Sequence, residues 1–384
     1  MYLISKVVSW TTRKYISMLV ISNYRRGNVP LLSYIETTFI RCYDLEGGTD
    51  PLFERIGVLM AVTNSQKGCA VYPVVVPTRS SLKTFNFYLV EDSGSLTMID
   101  AGVDSDKSWE LFQKALTDNG FTLNDISRIL LTHNHQDHVG LVNRITSLRD
   151  IPVYAHAESI YRLKREESYF SMRVRFFKQL YQEMGCGEAG ERQVQYLQET
   201  VRWNEKFKIQ ADILPLAESD RVSRFRVIET PGHSHDHVVF LDEERNELFV
   251  GDHVLHHISS NALVEPDRNG KRIKALVEYV DSLKKCVTLD VGTLYTGHGE
   301  LVRNHKELIT TRLNRIEEKA SKFLDLIRRG KSTADALART YYHQQYESEF
   351  SLVMSEIIGH LDYLEAQNKV QKERRDGVWH YFSV

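Results

Sequence analysis

The segment Leu131-Thr132-His133-Asn134-His135-Gln136-Asp137-His138-Val139-Gly140 constrains this chain more than any other. Three histidines and an aspartate fall within six residues, after an apolar run and before a glycine. A helix brings together residues four apart and a strand brings together alternate ones, so neither puts all four side chains on one face. The stretch therefore reads as a strand end turning into a loop, with its side chains splayed toward two neighbouring metals. Imidazole and carboxylate donors suit zinc, and also iron or manganese. The competing reading is a solvated histidine-rich loop that holds no ion.

Composition limits the alternatives. A chain of 384 residues with 42% hydrophobic content can bury a sizeable core and accommodate two or three domains. Its formal net charge of -2 gives no overall basic signal for nucleic acid, although a local patch could still bind it. Cys42, Cys69, Cys186 and Cys286 are scattered with no C-x-x-C pair, which argues against a disulfide framework and for a reducing cytoplasm. No apolar run approaches the ~20 residues that would span a bilayer.

From Tyr72 onward, strand and helix patterns alternate. Val74-Val75-Val76 is a β-branched run closed by Pro77. Alternation of Phe85, Phe87 and Leu89 predicts a half-buried strand over 84–90, and Leu96 to Ile99 a second strand ending at Asp100. Ser105 or Asp106 can cap a helix with Trp109, Phe112 and Leu116 as its apolar stripe and Asn119-Gly120 as its end. Ile129 to Leu131 leads into the histidine segment, Val139 to Leu148 reads as a short helix, and Val153 to Ala155 as a strand. Residues 157–205 break this rhythm with helical spacing and many Arg, Glu, Tyr and Phe residues. They read as a helical insertion that could cover the cleft and select substrate, or as a plain solvated hairpin. Strands follow at Phe225 to Glu229, Val238 to Leu241 and Glu247 to Val250, then a helix over Arg272 to Cys286 and a strand end at Leu294-Tyr295.

Four further motifs sit at the ends of these strands: Met98-Ile99-Asp100-Ala101-Gly102, Thr230-Pro231-Gly232-His233, Gly251-Asp252-His253 and Thr296-Gly297-His298-Gly299. With H-x-H-x-D-H they form an ordered set of five, and on that set the chain resembles the metallo-β-lactamase superfamily. The resemblance implies an αββα four-layer sandwich. It implies a first metal on His133, His135 and His233, a second on Asp137, His138 and His298, and Asp252 bridging both. Asp100 is then a support for the histidine loop rather than a ligand. The expected activity is dinuclear metal-dependent hydrolysis, with two zinc ions (or iron or manganese) and a metal-bridging hydroxide oriented by Asp137. A small-molecule ester, thioester or lactone is the expected substrate. Where many family members have Pro-Gly, this chain has His235-Asp236, and either His235 or His237 could protonate a leaving group. His253, His256, His257 and Ser259 to Asn261 are candidate pocket-wall residues.

The two ends are less clear. Lys6, Arg13, Lys14, Arg25 and Arg26 precede the first acid, Glu36. Residues 1–59 could be a transit peptide, a membrane-surface helix, or translated sequence upstream of a start at Met60, the reading preferred here because the family-like part begins soon after. The metallo-β-lactamase domain is then residues 60–304. Residues 305–384 read as charged helices ending in a basic hairpin with Asp376-Gly377 at its turn. This resembles the winged-helix-like end of lactamase-β-like endoribonucleases and related bacterial hydrolases. It makes single-stranded RNA an alternative substrate and the hairpin a nucleic-acid, packing or homodimer surface.

Overall fold

The computed structural model describes residues 70–92 and 94–384, so the readings made for residues 1–59 lie outside the described residues. The first sheet is built in chain order. Strands β1 (Val71–Pro77), β2 (Thr84–Asp92) and β3 (Ser95–Ile99) form an antiparallel meander. Helix α1 (Asp106–Asp118) crosses over to β4 (Ile126–Leu130), which pairs parallel with β3. The Ser105 side chain caps α1 by accepting the Ser108 N–H, which leaves Phe112, Ala115 and Leu116 on the buried face. Helices α2 (Gln136–Val139) and α3 (Val142–Leu148) lead to β5 (Val153–His156). Three further helices, α4 (Ile160–Leu163), α5 (Glu167–Glu183) and α6 (Gly187–Trp203), precede β6 (Ile213–Leu216), which closes a six-stranded sheet in the order β1 to β6.

The second sheet comprises β7 (Arg221–Val222), β8 (Phe225–Glu229), β9 (Val238–Asp242) and β10 (Glu247–Gly251), joined antiparallel. After helix α7 (Ala275–Val287), strand β11 (Thr293–Thr296) adds parallel to β10. The chain ends with α8 (His305–Arg328), α9 (Ala334–Tyr341), α10 (Phe350–Ala366) and the hairpin β12 (Val370–Arg375) and β13 (Val378–Ser383). Asp376 and Gly377 both have positive φ, as a tight two-residue turn requires.

Three apolar layers hold this together. Tyr88, Val90, Ile99 and Leu130 of the first sheet meet Phe225, Val227, Phe240, Phe249 and Tyr295 of the second. Phe249 and Tyr295 stack at 4.6 Å, a contact worth about 0.5–1.5 kcal/mol beyond burial. The outer face of the first sheet packs on α1 and α3, and that of the second on α7 and the C-terminal helices. The layer order is therefore helix, sheet, sheet, helix. This arrangement corrects the half-buried expectation for β2: Phe87 and Leu89 face the helices, Tyr88 and Val90 face the other sheet, and both faces are buried.

Two helix boundaries also differ from expectation. The 139–148 helix is two helices, with Gly140 between them at a point where a Cβ would lie 2.1 Å from the Asp104 nitrogen. Helix α7 starts at Ala275, three residues later than the periodicity suggests. The α5–α6 hairpin is anchored rather than free, because Phe177, Leu180, Tyr181 and Leu197 share one core with α8, α9 and α10.

Candidate metal centre

β3 and β4 run in one direction in the first sheet, and β8, β10 and β11 share one direction in the second. Their C-terminal ends carry Asp100, the 132–138 segment, His233, Asp252 and His298. Cross-sheet hydrogen bonds bring these ends together, among them Val238 N–H to Thr132 O at 2.8 Å and Tyr88 Oη to Thr296 O at 2.7 Å.

The donor atoms converge in three overlapping groups. His133, His135 and His233 form one, His133, His138 and Asp252 a second, and Asp137, His138 and His298 a third, each with its ligand atoms within 4.8 Å of one another. All seven side chains named from the motifs thus meet in one place. His135 Nδ1 lies 3.0 Å from His133 Nε2 and 3.1 Å from His233 Nε2. Asp252 lies between the groups: Oδ2 is 3.5 Å from His233 Nε2 and 3.2 Å from His298 Nε2, while Oδ1 is 3.3 Å from His138 Nε2. Asp137 Oδ2 is 3.5 Å from His298 Nε2, and its side chain keeps 26% of its exposure, against 8% for Asp252.

The rear of each imidazole decides which nitrogen faces inward. A carbonyl or carboxylate only accepts, so the ring nitrogen beside it carries the proton. His233 Nδ1 donates to Asn261 O, His298 Nδ1 to Thr84 O, and His138 Nδ1 to Asp100 Oδ2. Thr132 Oγ1 donates to Asp100 Oδ2 and so accepts from His133 Nδ1. Four Nε2 lone pairs are left pointing into the cavity. Asp100 holds this arrangement from a positive-φ position, its Oδ1 also accepting the Thr132 N–H at 2.8 Å.

Electrostatics favour the ligand form. Burial, reinforced by the neighbouring imidazoles His138 and His135, holds His133 well below the ordinary histidine range. Burial and His233 bring His135 down to about 4 against the pull of nearby carboxylates. His138 is the exception. Burial opposes its charge, but Asp252 and Asp100 outweigh burial and raise it well above the usual value.

A divalent ion fits these residues. Buried His138 Nε2, His298 Nε2 and Asp252 Oδ1 have no hydrogen-bond partner, and lone pairs crowded this closely need a shared cation or proton. The backbone leaves room for one. A Cβ at Gly297 would lie 2.5 Å from both Asp252 Oδ1 and His138 Cε1, so only glycine keeps the carboxylate and imidazole in place.

Several supports were not evident from sequence. His237 is buried, with Nδ1 against Thr230 Oγ1 and Nε2 accepting the Asp252 N–H at 3.2 Å, so it positions Asp252 and has no route to a leaving group. Asp236, also fully buried, accepts from Asn134 Nδ2 at 2.6 Å and Ser159 Oγ at 2.5 Å. The expected pocket wall is partly a rear scaffold. Ser260 Oγ donates to Asp252 O, Asn261 O holds His233, and His253 is buried against Tyr279. His235 keeps partial exposure, and its hydrogen bond to Glu278, 3.4 Å away, raises its pKa.

Comparison with known proteins agrees with this architecture. A family model described as the metallo-beta-lactamase superfamily matches residues 86–298. A Bacillus subtilis (strain 168) protein named "Probable metallo-hydrolase YqjP" is 28% identical over 301 residues, covering 78% of this chain and 93% of that one. An Aspergillus fumigatus protein named "Atrochrysone carboxyl ACP thioesterase" is 24% identical over 248 residues, covering 65% of this chain and 61% of its own length. Among solved structures, a metallo-beta-lactamase family protein from Thermus thermophilus superposes with a TM-score of 0.67 at 25% identity, covering 82% of this chain and 98% of that one.

Proposed function

Since this chain belongs to the metallo-beta-lactamase superfamily, we propose that it is a dinuclear metallo-hydrolase of small-molecule esters or lactones and, above all, thioesters. The position of Asp252 carries the two-ion reading. Its Oδ2 lies within 3.5 Å of one nitrogen from each histidine group, as a bridging carboxylate must. His133, His135 and His233 would hold one ion and Asp137, His138 and His298 the other. Zinc suits this donor set, as do iron and manganese. Divalent ions in such a pair supply a water of lowered pKa and charge stabilisation for the oxyanion.

The remaining work belongs to the chain. Asp137, more open to solvent than Asp252, accepts a hydrogen bond from the attacking water and takes up its proton at a carboxylate oxygen. Asp100 and the carbonyls of Thr84 and Asn261 keep the imidazoles from turning. Only His235 among the two leaving-group candidates has any access, since both nitrogens of His237 are engaged. A thiol, with a pKa of about 8.5, departs as thiolate without an acid, which favours a thioester over an alkyl ester. The name of the thioesterase relative points the same way.

RNA is less well served. The hairpin cations are paired internally: Lys372 with Glu365, Arg374 with Glu183, Arg375 with Glu373 and Lys369 with Glu317. Trp379 Nε1 donates to Glu183, so the ring is docked rather than free for stacking. No helix among the described residues is long and apolar enough to cross a membrane.

The test is release of free thiol from a panel of acyl thioesters by the metal-loaded protein, beside RNA binding followed across a salt titration. Thioester turnover abolished by a chelator supports the proposal. RNA binding that weakens steeply with salt, without thioester turnover, would replace it.

A further inference from the structure

The imidazoles of the ion site are not all held alike. Thr132 backs His133, Asp100 backs His138, Asn261 O backs His233 and Thr84 O backs His298. His135 differs, because Nδ1 is the nitrogen it turns toward His133 and His233. Its Nε2 is left over, and among the described residues no hydrogen bond holds it.

What fixes His135 is its neighbour in the chain. Asn134 Nδ2 donates to Asp236 Oδ1 at 2.6 Å, and Ser159 Oγ donates to Oδ2 of the same carboxylate at 2.5 Å. Asp236 and Ser159 are both fully buried, so water does not substitute for either bond. Hydrogen bonds to a carboxylate are roughly twice as strong as neutral ones.

The turn that carries Ser159 opens the helical insertion and is anchored on both sides. It spans Ala157–Ser159, between β5 and α4. Before it, His156 Nε2 donates to Glu229 at 3.0 Å, and its Nδ1 accepts the Glu158 N–H. After it, Arg162 Nη2 donates to Pro266 O at 3.1 Å. Arg162 Nη1 lies 3.7 Å from Glu265, which is ion-paired with Arg173 of α5. Burial opposes a charge on Asp236, but Arg162, the Ser159 hydroxyl, His135 and the Asn134 amide outweigh it. The second ion group is supported differently. Asp100, just after β3, and Thr84, at the start of β2, belong to the sandwich.

We infer that Ser159 is a positioning residue for His135, acting through Asp236 and Asn134, so that the helical insertion sets how tightly the first ion group binds while the sandwich sets the second. The inference rests on the two-ion reading above and gives the insertion a share in the ion site. Partners behind a ligand fix its orientation and so its affinity for the ion.

The experiment separates the two groups before Ser159 is changed. In the full chain, His298→Ala leaves the three histidines of the first group, and His233→Ala leaves the second group. Cobalt(II) is titrated into each background with and without Ser159→Ala, and its visible absorption reports binding. Affinity should fall about tenfold or more in the His298→Ala background and by less than about twofold in the His233→Ala background. Equal losses in both backgrounds, or no loss in the first, overturn the inference.

A metal-free measurement keeps this result distinct from the two-ion reading. In metal-free protein with nitrogen-labelled histidine rings, Ser159→Ala should shift the His135 ring signals and leave those of His138 and His298 in place. If either background binds no cobalt, the two-ion reading fails and these signals alone decide. A selective His135 shift then upholds the inference, and unchanged or uniformly shifted signals overturn it. Ser159→Cys, similar in shape with a weaker donor, takes the same comparisons if the alanine variant does not fold.

Discussion

Asp236 accepts a hydrogen bond from Asn134 Nδ2 at 2.6 Å, across 102 residues of sequence. Asn134 separates His133 from His135, and Asp236 follows His233 by three positions. This contact therefore ties the two loops that bring the first histidine group together. The other Asp236 oxygen accepts from Ser159, and Arg162 is the strongest charge acting on it, so the helical insertion is joined to the same point. Asp236→Ala should loosen His135 and weaken metal binding by about ten- to a hundredfold, the usual effect of removing a support behind a ligand. Competition with a chromophoric chelator measures it, and unchanged affinity would show that the loops hold themselves.

Asp100 offers a sharper version of this test. It holds Thr132 through two hydrogen bonds and His138 through a third. Asp100→Asn keeps the size but cannot accept at both oxygens from these partners. Metal affinity should fall by about ten- to a hundredfold, with kcat falling beyond the loss of occupancy. An Asn variant that binds metal and turns over like wild type would remove Asp100 from the site.

Much of the centre could be read in the sequence because each motif ends a strand, and strand ends on one rim must meet. Pro231, Gly232, Gly251 and Gly297 also signal tight backbone. The supports could not be read that way. Asn261 O and Thr84 O act through the backbone, so their residue types say nothing of the hydrogen bonds they accept from His233 and His298. His237 looks like a free imidazole until Thr230 and the Asp252 amide are seen to occupy both its nitrogens. The alternation in β2 suggested one buried face because sequence period reports which side chains are apolar, not whether a second sheet covers the other side. Tyr88 is polar enough to pass for solvent-facing, yet its hydroxyl is satisfied by Thr296 O inside the sandwich.

Gly297 should tolerate no side chain. The Cβ of Gly297→Ala would meet Asp252 Oδ1 and His138 Cε1 at 2.5 Å. Metal content measured after dialysis should fall well below that of wild type, while the far-ultraviolet circular dichroism spectrum stays native. Full occupancy in this variant would mean that Asp252 and His138 can move apart without losing an ion.

Glu265 should make stability depend on acid. Burial raises its pKa, but the charge and hydrogen bonds of Arg173, with help from Arg162, outweigh burial and hold the carboxyl below the ordinary glutamate range. A folded-state pKa that is depressed gives stability present above the unfolded value of about 4.3 and lost as pH falls through the folded value. The Tm advantage of wild type over Glu265→Gln should therefore be full near neutral pH and shrink on acidification below about 4.3. A difference that stays constant down to pH 3, an acid condition about a unit beyond that value, would contradict the assignment.

The central claim is that two ions share Asp252. Elemental analysis of the purified, reconstituted protein beside Asp252→Ala tests it most directly. The expected result is about two divalent ions per wild-type chain, as for a two-metal hydrolase, and a clear loss in the variant, with the element identified in the same measurement. A wild-type protein that binds no metal after reconstitution, or a variant that keeps its full complement, would contradict it.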